Sequence, residues 1–334
     1  MHRQPREEDL MRFICRILAP SAFAVASIVA PACWAQGYPS KPVRVIVPYA
    51  PAGVVDILAR AVAQKLGESW KQQFVIENIA GANGIIGTEL AAKAPKDGYS
   101  LLMIAGGNHV TNQALRKLAY DPVKDFTGVA LVGSIYFVLS VHPSVPARDL
   151  KQLTALARAK PGQLNYGSTG SGSPTHLSAE LFKTMQKLDI VHVPYKGAPQ
   201  VLTALLSGEV ALSFLVPTSA LPQAASGKVR MLAVSGPKRL EAAPQLPTFP
   251  EAGLPGFEVD NWIGLLAPAG TTRSVVAQLN AEIGKIQQLP DIRSRASSLG
   301  ITLAALGADE LTATMAKDAV KWERIVKESG ARVE

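Results

Sequence analysis

The sequence predicts an α/β protein built from two successive sets of strands and helices, each set forming a mainly parallel sheet. Three observations lead to this expectation. Compact β-branched runs alternate with stretches of helical spacing and short loops, the order that produces parallel sheets through right-handed crossovers. Of 334 residues, 48% are hydrophobic and 18% charged, which supplies core for about two domains at roughly 100–200 residues each. Val47-Pro48-Tyr49 also recurs as Val193-Pro194-Tyr195, each time closing a strand ahead of a glycine loop and a helix. The echo suggests two lobes that present similar loops to one cleft.

The elements follow in order. Residues 43–48 have the β-branched density of a buried parallel strand, and a turn follows at 49–53. Val54, Ile57, Leu58, Ala61, Val62 and Leu66 then recur at helical spacing, with Asp56 in the first turn, where a carboxylate caps amides and suits the dipole. A strand at 74–78, a turn at 81–84 and a helix at 85–94 repeat the pattern. A third strand, 100–104, ends at Gly106-Gly107-Asn108-His109. The second set begins with a strand at 137–141. Helices are expected at 149–159, 175–187, 199–207 and around 218–226, interleaved with strands at 164–167, 189–193, 210–214 and 229–234. A proline-rich connector spans 237–255, a strand 261–267, and helices run on to the C-terminus, with Trp322 and Ile325 on one face.

The first 35 residues read as an address. A basic stretch at 11–16 precedes an uncharged run from Ile17 to Ala32, and Cys33-Trp34-Ala35 is a small-x-small exit. That combination describes a cleaved secretory signal peptide. An anchor would want about 20 apolar residues, and Pro20 and Pro31 interrupt this run. The acidic Glu7-Glu8-Asp9 suggests Met11 as an alternative start. Cleavage would remove both cysteines, Cys15 and Cys33, leaving a mature chain with no thiol, expected to be soluble and outside the cytoplasm.

Composition excludes several classes. Hydrophobicity at this level is incompatible with global disorder, and 27 Gly with 24 Pro is close to ordinary usage. The formal charge of +8 comes from scattered residues such as Lys93, Lys96, Lys117, Lys151 and Lys160. Nucleic-acid binders concentrate basic residues on one face, so no nucleic-acid partner is expected; a modest positive field attracts small anions instead.

Ligands of parallel α/β sheets sit beyond the carboxyl ends of strands, where helix N-termini offer free amides. Three loops have suitable chemistry. The first holds Tyr49, Ala52, Gly53, Val54, Val55 and Asp56, with Asn108 nearby in chain order after the third strand. The second runs from Tyr166 to His176 and holds Ser168, Thr169, Gly170, Ser171 and His176, a composition suited to an amide nest around an anion. The third offers Tyr195 as an aromatic platform and Lys196 as a cation. These residues are the candidate ligand contacts.

Enzyme signatures are missing. The Ser/Gly loop lacks the Gly-Lys-Ser/Thr ending of a phosphate loop and fails the dinucleotide pattern at its last place. No Gly-x-Ser-x-Gly elbow occurs. His109, His142, His176 and His192 have no metal-ligand spacing. A hydrolase using Ser168 or Ser171 with His176 remains an alternative supported by proximity alone. Binding without chemistry is the simpler reading, with no catalytic residue, metal or cofactor expected.

Further motifs are Tyr38-Pro39-Ser40-Lys41-Pro42, Asp97-Gly98-Tyr99, residues 120–126 (Tyr-Asp-Pro-Val-Lys-Asp-Phe), Leu164-Asn165-Tyr166-Gly167-Ser168, His192-Val193-Pro194-Tyr195-Lys196-Gly197, Glu251-Ala252-Gly253-Leu254-Pro255-Gly256 and residues 265–270. On these the chain resembles the Bug family of extracytoplasmic solute receptors, which serve tripartite tricarboxylate transporters in Gram-negative bacteria. The resemblance implies a two-lobe periplasmic binding protein fold, type II-like, that closes on its ligand. It implies lobe one at 36–138 plus 265–334 and lobe two at 139–264, with Leu139–His142 and Trp262–Leu265 as crossing strands. A small carboxylate would be held between the loops at 49–56 and 167–176 and delivered, by a monomer, to the membrane subunits of such a transporter. A ligand-binding co-sensor of a signalling system is a further alternative. The chain departs from the family at two places. The usual Pro-Gly-Gly-Ser/Thr-x-Asp is Pro51-Ala52-Gly53-Val54-Val55-Asp56, and the frequent Phe-Asp-Asn is Phe214-Leu215-Val216. Together they imply a ligand without an amine and with an apolar or aromatic body.

Overall fold

The computed structural model describes residues 37–329; the expected signal peptide at 1–35 and both cysteines lie outside them. From Lys41 onward the chain opens with β1 (Val43–Val47), α1 (Val54–Trp70) and β2 (Phe74–Asn78). A 3-10 turn at Ala82–Gly84 leads into α2 (Ile85–Ala92), followed by β3 (Ser100–Ala105), α3 (Gly106–Leu115) and the long β4 (Phe126–Ile135). The second set comprises β5 (Val138–Val141), α4 (Leu150–Ala159), β6 (Asn165–Ser168) and α5 (Pro174–Gln186). It continues through β7 (Val191–Pro194), α6 (Ala198–Ser207), β8 (Leu212–Leu215), α7 (Pro217–Ala225) and β9 (Arg230–Val234). After the proline-rich connector come β10 (Asn261–Pro268), α8 (Arg273–Ile286), α9 (Pro290–Ser298) and α10 (Ala308–Ser329).

Two elements depart from the sequence expectation. Gly106-Gly107-Asn108-His109 is the first turn of α3 rather than the end of a strand, and β4 had no counterpart in the periodicity.

Among the described residues the strands form two five-stranded sheets, ordered β2-β1-β3-β10-β4 and β7-β6-β8-β5-β9. β1 runs parallel to β2 and β3, and β6 parallel to β7 and β8. Each sheet also contains one strand antiparallel to both its neighbours: β10 between β3 and β4, and β5 between β8 and β9. The chain therefore crosses between the sheets twice, at Tyr136-Phe137 and through residues 235–260. Asn261 to Gly264 already pair in the first sheet. Ser235 clasps the two crossings: its hydroxyl accepts the Phe137 N–H at 2.9 Å and donates to the Val259 carbonyl at 2.8 Å.

Each sheet buries its own core. Ile46, Leu101, Leu102, Met103 and Trp262 fill the first, while Tyr166, Phe182, Phe214, Phe249 and Phe257 fill the second, all at most 1% exposed. Side chains of this size stabilise by about 1.5–3 kcal/mol each when fully buried. Phe249 and Phe257 stack at 3.9 Å, which anchors the connector against β8 through Phe214. α10 packs on α3, β4 and α8 of the first sheet and also on α5 of the second. No helix among the described residues is long and apolar enough to cross a membrane.

Candidate functional site

The loop after β1 is locked from below by one carboxylate. Asp56 is 2% exposed; it accepts the Ala52 N–H at 2.8 Å, the Asn78 amide at 2.8 Å and the Arg60 guanidinium at 3.1 Å. Burial alone would raise its pKa, but these bonds outweigh it and hold the carboxyl below the usual range. Its oxygens are committed to the protein, which makes Asp56 a staple of the loop. Tyr49 turns its hydroxyl inward to accept the Ala105 N–H at 3.3 Å, and its burial raises the phenol pKa. Among the described residues no side chain caps α1 and the Val54 and Val55 N–H groups take no partner, the first amide bonded back along the helix being that of Ile57, to Gly53. Val54 is 36% exposed, an apolar side chain at the mouth of this loop.

Ala52 pays for its place in the loop with a φ of 63°, the left-handed region that costs an L-residue about 1–2 kcal/mol. Ala52→Gly removes that strain while adding unfolded-chain entropy of roughly 0.5–1 kcal/mol. The expected result is a net stabilisation of about 0.5 kcal/mol, read from chemical denaturation; a clear destabilisation would show that the methyl packs favourably.

Beside this loop lies an amide cluster that periodicity could not reveal. Asn83, itself left-handed at φ 57°, accepts from Asn108 and donates to Asn112 at 3.0 Å, and Asn112 donates to the Asn83 carbonyl at 3.1 Å. Asn108 is thus tied to the loop after β2. The sole sequence signal was Asn-Gly at 83–84, which marks a turn and no more.

The Ser/Gly loop after β6 is organised by its own hydroxyls. Ser173 caps α5 by accepting the His176 N–H at 3.3 Å, and Pro174 opens the helix. Thr175 Oγ1 accepts the Thr169 N–H at 3.0 Å and contacts the Thr169 and Ser173 hydroxyls at 3.1 Å. Gly170, at φ 120°, and Gly172, at φ 79°, supply the conformations the turn needs. Among the described residues the Ser171 and Thr175 N–H groups take no hydrogen-bond partner.

Among the described residues the His176 ring does not pair with a serine. Its Nδ1 accepts the Gly172 N–H at 2.9 Å, whereas Ser168 Oγ lies 2.7 Å from His192 Nε2. Ser168 is 0% exposed. The hydrolase alternative built on Ser168 and His176 is therefore corrected: the expected pair is not formed, and the hydroxyl that does meet a histidine is sealed from solvent. Pairing of Tyr166 with His192 between β6 and β7 places that ring.

The third loop backs the second. Tyr195 donates its N–H to the Ser168 carbonyl at 3.0 Å and its hydroxyl to Glu209 at 2.7 Å. Burial and that carboxylate push its pKa up to about 12. Lys196 is exposed.

A chain of contacts joins the two loop sets. Tyr49 reaches Ala105, the residue that precedes α3. The next turn of the chain meets the other half, because a Cβ on Gly107 would lie 2.9 Å from Pro174 Cγ and 2.7 Å from Asn261 Oδ1. Gly107 donates its N–H to that Asn261 oxygen at 3.0 Å. At the end of β8, Leu215 is buried and Val216 precedes α7 without a side-chain cap, so neither position supplies a carboxylate. Among the described residues no group of His, Asp and Glu could hold a metal ion. The arrangement offers amides, hydroxyls and apolar surface, the chemistry of binding an anion.

Comparison with known proteins gives the same direction. A family model described as "Tripartite tricarboxylate transporter family receptor" matches residues 58–331. The UPF0065 protein in the tcbD-tcbE intergenic region of Pseudomonas sp. (strain P51) is 38% identical over 315 residues, 94% of each chain. Protein BugT of Bordetella pertussis is 32% identical over 312 residues, 93% of this chain and 95% of that one. Among solved structures, R. palustris Rpa4515 with adipate is 34% identical with a TM-score of 0.74, covering 89% of this chain and 100% of that one. MatC (Rpa3494) from Rhodopseudomonas palustris with bound malate is 33% identical with a TM-score of 0.70, covering 86% and 100%.

Proposed function

This chain belongs to the tripartite tricarboxylate transporter receptor family, a periplasmic family of solute-binding receptors and not of enzymes, and from that premise we propose that it captures a small carboxylate lacking an amine and delivers it, as a monomer, to the membrane subunits of such a transporter. The observation behind this reading is the pair of amide sets without a hydrogen-bond partner among the described residues, Val54 with Val55 and Ser171 with Thr175, on loops linked through Tyr49, Ala105 and the Gly107–Pro174 contact. Free N–H groups at helix starts hold anions. The Val54 side chain and the Leu215-Val216 corner leave an ammonium group no carboxylate to meet, which favours an apolar body between or beyond the charged ends. Adipate and malate, bound by the two relatives, both carry carboxylates and no amine. In this reading, closure of the two lobes buries the ligand by a hinge transition, and residues 1–35 export the chain.

A thermal-shift panel of mono-, di- and tricarboxylates against amino acids tests this. A ligand at about 100 times its Kd adds about 2.7 kcal/mol. At about 2–4 °C per kcal/mol for a chain of this size, that is a rise of roughly 5–10 °C. An amino acid giving the largest shift would overturn the amine-free assignment, and silence from every carboxylate would overturn the function. Capture of the membrane subunits by the loaded receptor, but not by a signalling kinase, separates delivery from sensing.

A further inference from the structure

We propose that the stacked imidazoles of His176 and His192 are the positioning pair of the ligand loop: they fix Gly172 and Ser168, and protonation of His176 releases the loop and weakens ligand binding. The inference rests on the reading of the Ser/Gly loop as a ligand loop and assigns its control to residues beneath it.

The two rings lie 4.0 Å apart and 15° from parallel, and Tyr166 continues the column at 4.8 Å from His192. His176 Nδ1 accepts the Gly172 N–H at 2.9 Å, so its proton sits on Nε2. Ser168 Oγ donates to the Gly170 carbonyl at 3.2 Å and accepts the Gly170 N–H at 3.2 Å, so His192 Nε2–H is the donor to that oxygen at 2.7 Å. Two side chains thus set the backbone of Gly170 and Gly172, the residues on either side of the free Ser171 amide.

The charged groups that act on the column, Glu180 and Lys183, both lie on α5. Tyr166 on β6 donates to Glu180 on α5 at 2.5 Å, and Lys183 on the same helix reaches Glu180 at 2.6 Å. Glu180 favours a charge on His192, while Lys183 and His176 oppose it. Lys183 also opposes a charge on His176. Burial outweighs these contributions and lowers both imidazoles to about 4. Protonated His176 would turn an Nδ1–H against the Gly172 N–H, two donors facing one another.

If the rings served packing alone, Phe would replace His176 without disturbing the loop. The positioning role predicts otherwise, and Asn, whose Oδ1 occupies the Nδ1 position, should rescue what Phe loses. The first measurement uses the ligand-free protein at pH 7.5. Its nitrogen-15 spectrum should show an unprotonated Nδ1 on His176, and Gly172 amide exchange should accelerate about tenfold in His176→Phe but not in His176→Asn. The second follows binding of whichever carboxylate raises the melting temperature. Its affinity should fall about tenfold in His176→Phe at pH 7.5. In the parent protein affinity should hold from pH 7.5 to about 5 and decline as the pH falls on towards 4, and the His176→Asn, His192→Gln double variant should abolish that decline. Melting of each variant at pH 7.5 confirms folding. Unchanged Gly172 exchange in His176→Phe, or a proton on Nδ1, would overturn the positioning role whether or not a ligand is found. If the ligand-free results hold while no carboxylate binds, the assigned function fails, and the ligand-linked half of this proposal fails with it.

Discussion

Lowering the pH from about 7 to about 4.5 should cost the protein a few kcal/mol of unfolding free energy, read as a lower urea midpoint at an unchanged m-value. His109 is 0% exposed, donates Nε2–H to the Pro122 carbonyl at 2.8 Å, and is lowered by burial to about 4. A histidine with a lowered folded pKa binds its proton first in the unfolded chain. Its contribution is complete above the unfolded value of 6.5 and declines as the pH falls towards 4. Roughly two units of that window, at about 1.4 kcal/mol each, amount to about 3 kcal/mol for His109. Asp260 acts in the opposite sense: burial, with the Asp318 carboxylate adding to it, raises its pKa to about 6. Protonation on the way to pH 4.5 relieves it by about 2 kcal/mol. Asp260 offsets most but not all of the His109 loss, and His176 and His192, lowered to about 4 in the same window and acting in the same direction as His109, set its size. Asp260→Asn removes the opposing contribution and should steepen the fall. Equal urea midpoints at the two pH values would show that the buried histidines do not stay neutral.

Gly106→Ala should be the most damaging single methyl in the molecule. A Cβ on Gly106 would fall inside the Trp262 indole, and that ring has nowhere to go. It is 1% exposed, its Nε1 donates to Asp318 at 2.9 Å, and the His109 ring lies 6.2 Å away. Overpacking typically costs about 1–3 kcal/mol. Moving the indole would add the loss of its bond to a buried carboxylate, worth about 1.5–3 kcal/mol. A total of about 4 kcal/mol is expected, with loss of carboxylate binding because Gly106 begins α3. Gly284→Ala in α8 is the control: nothing lies within 4 Å of its Cβ, and a helix interior gains about 0.5–1 kcal/mol from Ala. Near-parental stability of Gly106→Ala would mean that β10 yields where the packing says it cannot.

The same glycine shows why part of the fold was legible in the sequence and part was not. β1 announces itself through a β-branched run, β2, β3 and β9 through short apolar runs, and α1 through its spacing, because burial on a sheet or helix face leaves a local pattern. α3 begins with two glycines, which locally signal a turn. They are there because Trp262 and Pro174, distant in sequence, occupy the space where side chains would be. β4 contains Gly128 and Gly133 and changes register twice against β10, which erases its alternation. In the candidate site the loops themselves were readable from Ser, Gly and helix-start chemistry. Their internal partners were not: Asp56 with Asn78, the Asn83–Asn108–Asn112 cluster, and the exchange of His192 for His176 at Ser168 depend on which strands lie side by side.

The placement of β10 between β3 and β4 bears on the order in which a newly made chain can mature. The strand that completes the first sheet is synthesised only after the whole of the second, so β3 and β4 emerge with a gap between them that nothing upstream can fill. This topology withholds a finished first sheet until residue 268 is available.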